Sequence, residues 1–323
     1  MKLKLIALAA MLAAGSAQAA IDTGLPNIDP SSTGNGELML NLKWKDGTTT
    51  DVNGNTSASA AFDLGITLNA AVANFNTAGF SRSWDLSSYG NAFSTFLATP
   101  DLVLGNAEMN VFAMDGTGTN PGDTRLISTT SGINATGTGL NLAASSIPTN
   151  NNFNQIFGNT TVVNFLAAVN NSSSHDSIAN GASNATVASG NAFFDNGTGM
   201  DKFGNLSGFD STNKFDGSYA AGSGVLSGQA KALPFYMLVA SSTDPFAKAT
   251  MTPFGYDLDG DGVIEFDNNA TVAGGSNEYG LWTLQGSTLT YSVAAVPEAE
   301  TYAMMLAGLG LVGFMVRRRR NAI

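Results

Sequence analysis

The chain has 323 residues, enough for one large β domain or two smaller ones, and carries 25 acidic against 14 basic residues. A net charge of −11 repels nucleic acid, which excludes a nucleic-acid partner. With no cysteine and a single histidine, the chain cannot form disulfides or a His/Cys zinc site. Only 12% of residues are charged, while turn-forming residues such as glycine are frequent, which favours β-strands joined by polar loops.

The N-terminus predicts a secretory signal peptide over residues 1–19. Lys2 and Lys4 form a basic start, residues 5–14 are apolar, and Ala17-Gln18-Ala19 is a small-x-small cleavage site. The apolar run is too short for a membrane span. Signal peptidase is therefore expected to cut between Ala19 and Ala20 and to leave an exported chain.

The remaining body, residues 20–295, is predicted to be mainly β and β-sandwich-like, with long polar loops and one short helix. A division near residue 190 is the alternative. Patterns of alternating or continuous apolar residues predict strands at Glu37–Trp44, Ala60–Leu68, Phe80–Leu86, within Asp101–Met114, and at Ala232–Ser241.

The apolar residues of Thr161–Asn170 recur at helical spacing, and this segment is the predicted helix. Asn91–Leu97 is a candidate helical turn. The only histidine, His175, lies among serines in a polar stretch, where a solvated loop residue is a better interpretation than a catalytic triad. Phe-Asp pairs recur at unequal intervals over Phe193–Ser218 and predict loops held to the core by phenylalanines.

The strongest chemical motif is the acidic segment Asp257–Asn268. Its carboxylates at positions 1, 3 and 5, with a glycine at position 6, match the first half of a calcium loop. The second half departs, because position 12 is an asparagine rather than a bidentate glutamate. A structural Ca²⁺ loop and an unoccupied acidic turn both remain open. The candidate ligands are Asp257, Asp259, Asp261, Val263 (through its carbonyl), Glu265 and Asn268.

Residues Tyr279–Gln285 and Thr288–Val293, joined by Gly286-Ser287, predict the clearest hairpin of the chain. Val296-Pro297-Glu298 follows, and then an apolar run from Tyr302 to Val316. The run of 15 residues is about 22 Å long as a helix, which is short for a permanent span across a hydrocarbon core of roughly 30 Å. Basic flanks stay in the cytoplasm, so the arginines of residues 317–320 (Arg317, Arg318, Arg319 and Arg320) orient this single transmembrane helix.

These three features in this order resemble the PEP-CTERM sorting signal of Gram-negative bacteria, here residues 296–323. Ala299 stands where the family usually has a second proline. The resemblance implies that an exosortase cuts near Pro297–Glu298. It also implies that the body passes from a transient hold in the inner membrane to the cell surface or the exopolysaccharide matrix.

The sequence thus favours a non-enzymatic surface or matrix protein associated with exopolysaccharide in a biofilm. The alternative is a secreted carbohydrate-binding protein or a glycan hydrolase. Paired carboxylates could run such a hydrolysis, although the sequence nominates no pair. Trp44, Trp84 and Trp282 could form a sugar-binding platform, but core packing is the favoured interpretation because each lies in or near a predicted strand.

Overall fold

The computed structural model describes residues 21–25, 34–45, 57–102, 104, 107–116, 124–129, 149–157, 160–171, 181–186, 219–221, 225–226, 229–230, 233–257, 264, 278–295, 307–309 and 312. Within these residues the protein is mainly β, as the sequence predicted.

Thirteen strands are described. They are β1 (Glu37–Lys45), β2 (Ser57–Thr67), β3 (Ser81–Asp85), β4 (Ala107–Asp115), β5 (Arg125–Thr129), β6 (Ala182–Ala185), β7 (Tyr219–Ala221), β8 (Val225–Leu226), β9 (Gln229–Ala230), β10 (Leu233–Val239), β11 (Thr250–Pro253), β12 (Leu281–Gln285) and β13 (Thr288–Ser292).

Among the described residues of the body there are also four short helices. They are α1 (Leu68–Asn74), α2 (Ala92–Leu97), α3 (Asn150–Phe157) and α4 (Thr160–Asn170), with a 3₁₀ turn at Leu86–Ser88. The helical segments predicted at Asn91–Leu97 and Thr161–Asn170 are confirmed as α2 and α4. The sequence interpretation missed α1 and α3. In α3 the reason is composition, because four of its eight residues are asparagine, a poor helix former.

Eleven strands form one curled antiparallel sheet, and β8 and β9 pair separately. The main path runs β3-β13-β12-β10-β5-β4-β1-β2-β6, with β11 beside β10 and β7 beside β4. Strands from before and after residue 190 therefore lie next to one another. The last strand of the body, β13, is not at an edge, because it lies between β12 and the early strand β3.

Both faces of the sheet are apolar. Successive residues along a strand point to opposite sides of the sheet, and several strands have apolar residues at successive positions. In β1, Leu38, Leu40 and Leu42 join a large cluster rich in aromatic rings, whereas Met39 joins a second cluster on the other side. The second cluster is covered by the helices α3 and α4, through residues such as Phe153 and Phe165. Continuous apolar runs in the sequence arise from this burial on two sides.

The predicted strands at Glu37–Trp44, Ala60–Leu68, Phe80–Leu86 and Ala232–Ser241 are confirmed as β1, β2, β3 and β10, with small shifts of their ends. In the Asp101–Met114 candidate, the strand β4 covers only Ala107–Asp115. Four predictions lie outside the described residues: the signal peptide over 1–19, the loops of Phe193–Ser218, the loop around His175, and most of the transmembrane helix over Tyr302–Val316.

Candidate functional site

The hairpin β12–β13 carries the chain to the sorting segment. Leu284 lies opposite Leu289 and Trp282 opposite Tyr291, so large apolar residues meet on one face of the hairpin. The predicted hairpin is thereby confirmed. The other edge of β13 pairs with β3, in which Trp84 lies opposite Leu289. Because β13 has a partner on each side, the strand that leads to the sorting segment is part of the sheet interior.

Tyr291 fixes β13 to the turn that follows α1. Its ring stacks on Phe75 with 4.3 Å between ring centroids, and its hydroxyl donates a hydrogen bond of 2.9 Å to the Phe75 carbonyl oxygen. Burial raises the pKa of the Tyr291 hydroxyl, so this group remains a donor at physiological pH. Gly280 makes the contact possible, since a Cβ atom there would overlap the Tyr291 hydroxyl.

The turn Phe75–Phe80 also holds the chain after β13. The Val293 N–H donates to the Phe80 carbonyl at 2.9 Å, and the Gly79 N–H donates to the Ala294 carbonyl at 2.9 Å. The next residue, Ala295, lies against Gly79. We call this region, made of the turn Phe75–Phe80 together with Tyr291–Ala295, the exit corner.

The comparison with known protein families matches residues 295–320 to the PEP-CTERM protein-sorting motif. The chain carries this motif, which confirms the resemblance seen in the sequence and marks an exported protein processed by an exosortase. Among curated proteins and among solved structures, none matches the chain. Because the matched segment starts at Ala295, the motif begins at the exit corner itself.

Most residues of the sorting prediction lie outside the described part of the chain. These are Val296, Pro297, Glu298, Arg317–Arg320 and the signal-peptide site at Ala17, Ala19 and Ala20. In the described part of the apolar run, Leu309 is 62% and Val312 is 55% exposed, so neither side chain packs into the β body. No helix among the described residues is long and apolar enough to cross a membrane.

The acidic segment is described only at Asp257 and Ile264, while Asp259, Asp261, Val263, Glu265 and Asn268 lie outside the described residues. Its base is well defined. The Tyr256 N–H donates to the Glu278 carbonyl at 2.8 Å, and Ile264 packs directly against Gly255. The described residues contain no group of three side chains able to hold a metal. Glu278, which sequence reasoning missed, is a buried acid at this base and is 1% exposed.

A second acidic group, absent from the sequence predictions, lies where β1 and β2 meet the N-terminal segment. We call Asp22, Glu37 and Asp63 the carboxylate corner. The Asp22 N–H donates to Glu37 Oε2 at 2.8 Å, and the Gly65 N–H donates to Asp63 Oδ1 at 2.7 Å. Asp63 is 1% exposed, and within the described ranges its Oδ2 accepts no hydrogen bond.

Burial changes the acidity of this corner. Removal from water, reinforced by the charge of Glu37, raises the pKa of Asp63 to about 7, although the bond from Gly65 acts in the opposite direction. Burial also raises the pKa of Glu37, against the lowering effect of the Asp22 N–H. No local sequence signal could have paired Asp63 with Glu37, because the two residues lie far apart in the chain and meet only through the antiparallel pairing of β1 with β2.

The three tryptophans all belong to the large aromatic cluster. Trp282 is fully buried, and Trp44 and Trp84 are 6% and 7% exposed. Trp84 stacks on Trp282 at 5.3 Å and donates from Nε1 to the Leu64 carbonyl at 2.9 Å. Core packing, the favoured sequence interpretation, is confirmed, and these side chains do not form an open platform for a sugar.

Proposed function

We propose that the protein is a non-enzymatic component of the cell surface or extracellular matrix, with a structural or adhesive role beside exopolysaccharide in a biofilm. Signal peptidase releases the N-terminus, and the tail holds the body in the inner membrane with its arginines in the cytoplasm. An exosortase then cuts near Pro297–Glu298. The observation that carries this proposal is the sorting motif, which begins at Ala295, where the hydrogen-bonded β body ends.

The location of the mature protein tests this proposal. Replacing Arg317–Arg320 by alanine is expected to disturb sorting, because the basic flank that sets orientation is lost. The matched variant with four lysines keeps the charge and should behave as the wild type. Mass spectrometry of the mature termini in membrane, surface and matrix fractions measures both the signal peptidase cut and the exosortase cut. Unchanged surface release of the alanine variant, or a mature protein that retains its tail, contradicts the proposal.

Calcium binding by the acidic segment is a further part of the proposal. Hard carboxylate and carbonyl oxygens are the ligands that Ca²⁺ prefers. The bond between the Tyr256 N–H and the Glu278 carbonyl joins the residues at the two ends of this stretch of chain, and Ile264 packs against Gly255 at the same place. The ligands would come from Asp257, Asp259, Asp261, Val263, Glu265 and Asn268, and the bound ion would neutralise their mutual repulsion.

The purified body should therefore melt at a higher temperature with calcium than with EDTA, and magnesium should replace calcium poorly. The double variant Asp259→Asn/Asp261→Asn should lose this response. Asp101→Asn is the control, because it removes an exposed carboxylate outside the acidic segment and its positive φ of 57° suits asparagine. A melting temperature that is the same in calcium and in EDTA contradicts calcium binding.

One observation favours a glycan hydrolase as a second candidate. A carboxyl group with a pKa near neutrality beside another carboxylate is the arrangement that acid–base hydrolysis uses, and Asp63 with Glu37 has it. The burial of Asp63 argues for the non-enzymatic function, because a catalytic acid must reach its substrate. Hydrolysis of isolated exopolysaccharide that Asp63→Asn abolishes would establish the second candidate. Binding to a glycan array without turnover would instead indicate a lectin.

A further inference from the structure

The sorting motif is physically joined to the exit corner. The first residue of the motif, Ala295, has its Cβ atom 3.5 Å from the position that a Cβ on Gly79 would occupy. The two residues before it are hydrogen-bonded to Phe80 and Gly79. No free linker therefore separates the folded body from the segment that the exosortase has to recognise.

The distances along the chain are short. The bond between Pro297 and Glu298 follows Ala295 by only two residues, so it lies within about 10 Å of the pinned position even in an extended chain. From Ala295 to the apolar run at Tyr302 there are seven residues, which span at most about 25 Å. The chain between the folded body and the apolar run is therefore short.

A peptidase cuts segments that are exposed and free of hydrogen bonds, and cutting next to a folded element proceeds through local detachment of that element. When opening and closing are fast, the rate follows the population of the open state. The Val293–Phe80 and Gly79–Ala294 bonds are the ones that local detachment would break first, since Tyr291 behind them is anchored in the aromatic core.

We propose that the turn Phe75–Phe80 is a positioning element on the substrate side of exosortase processing. Its hydrogen bonds to Val293 and Ala294 hold the start of the motif on the body and limit how much chain the enzyme can engage. Gly79 and Phe80 are positioning residues, and they act through the backbone of Val293 and Ala294, the two residues that precede the motif. The inference rests on the proposed function, because it assumes that an exosortase cuts this chain.

A matched pair of glycine variants tests the proposal. Gly79 has a φ of +70°, so Gly79→Ala strains the turn and favours its detachment. Gly286, with a φ of +58° and open space around it, lies at the opposite end of β13, so Gly286→Ala adds similar strain away from the motif. Pulse-chase of the full chain in exosortase-bearing cells should show processing about five-fold faster for Gly79→Ala. Gly286→Ala should match the wild type.

A second variant separates the access of the exosortase to the motif from the stability of the folded body. Insertion of Gly-Ser-Gly-Ser between Ala295 and Val296 leaves every described contact of the body in place, so its melting temperature should not change. Processing should nevertheless become several-fold faster, because the motif then stands clear of the turn. Equal rates for Gly79→Ala and Gly286→Ala, or no acceleration by the insertion, would overturn the positioning role alone. A wild-type chain that exosortase-bearing cells leave uncut would overturn the proposed function as well.

Discussion

The exit corner and the carboxylate corner each contain one fully buried polar side chain, Tyr291 and Asp63, but the polar atoms of these two side chains are not satisfied to the same extent. In the exit corner, the buried Tyr291 hydroxyl has a partner in the Phe75 carbonyl. In the carboxylate corner, Asp63 is buried to the same degree, but its Oδ2 has no hydrogen-bond partner within the described ranges. A buried polar group with a hydrogen-bond partner stabilises the fold, whereas a buried carboxylate oxygen without one costs free energy when the group is charged. The hydrogen bond of Tyr291 therefore stabilises the body where the sorting motif begins, whereas the unfavourable burial of a carboxylate lies in the carboxylate corner.

The largest expected effect comes from Phe75 in the exit corner. Its ring contacts the rings of Phe80, Phe235, Phe254, Trp282 and Tyr291. Phe75→Ala should lower the free energy of unfolding by about 3–5 kcal/mol, because it leaves a cavity in the aromatic cluster. Urea unfolding of the body measures this. Phe246→Ala is the control, since Phe246 is 84% exposed and its loss should change little.

Asp63→Asn in the carboxylate corner should have the next largest effect. Unlike Phe75→Ala, it should raise the free energy of unfolding at pH 8. The folded pKa of Asp63, about 7, lies above its ordinary value, so the folded state keeps a proton that the unfolded state loses. The free energy of unfolding of the wild type should therefore fall as pH rises from about 4 to about 7 and then level off. Between pH 5 and pH 8 this group alone accounts for about 2–3 kcal/mol.

Asp63→Asn removes the ionisable group and preserves the oxygen that accepts from Gly65. The variant should be more stable than the wild type at pH 8, and the difference should shrink toward pH 5. Urea unfolding at several pH values gives the difference in the free energy of unfolding between the wild type and the variant, and this difference isolates the titration of Asp63. A difference that stays constant across pH would show that Asp63 titrates normally in the folded state.

Tyr291→Phe tests the contribution of the buried hydrogen bond in the exit corner. It removes only the hydroxyl that bonds to Phe75, so the free energy of unfolding should fall by about 1–2 kcal/mol. Tyr256→Phe, at a 38% exposed position, is the matched control. If both variants are equally stable, the buried bond contributes nothing net, and the two corners would not differ in the way described.

The smallest effect is expected for Glu37→Gln. The charge of Glu37 is the second cause of the raised pKa of Asp63, after burial. Its removal should lower the pKa of Asp63 without restoring the ordinary value. NMR titration of the Asp63 carboxyl carbon measures the shift directly. An unchanged pKa would assign the whole perturbation to burial.

The sequence predicted the parts of the fold that depend on local pattern. The alternating residues of β1 and the two-residue turn between β12 and β13 carry their own signal, and so does the sorting motif from Ala295 onward. These features come from side-chain period, turn chemistry and charge placement, which are read over a few residues.

The other features depend on contacts between distant residues. Glu37 and Asp63 meet through the antiparallel pairing of β1 with β2, and Phe75 meets Tyr291 across more than two hundred residues of chain. Glu278 reaches the base of the acidic segment through an isolated bridge between Gly255 and Tyr279. No local pattern encodes such meetings, because the tertiary fold alone decides which distant residues become neighbours.

The position of β13 between β3 and β12 determines when the body can finish folding. Ser81–Asp85 leaves the export channel early, yet its pairing partner Thr288–Ser292 is among the last segments of the body to emerge. Pairing over so long a stretch of chain is slow, and until it occurs β3 presents unpaired backbone groups to its surroundings. In the proposed route, the apolar run that follows keeps the nearly complete chain at the membrane during this interval.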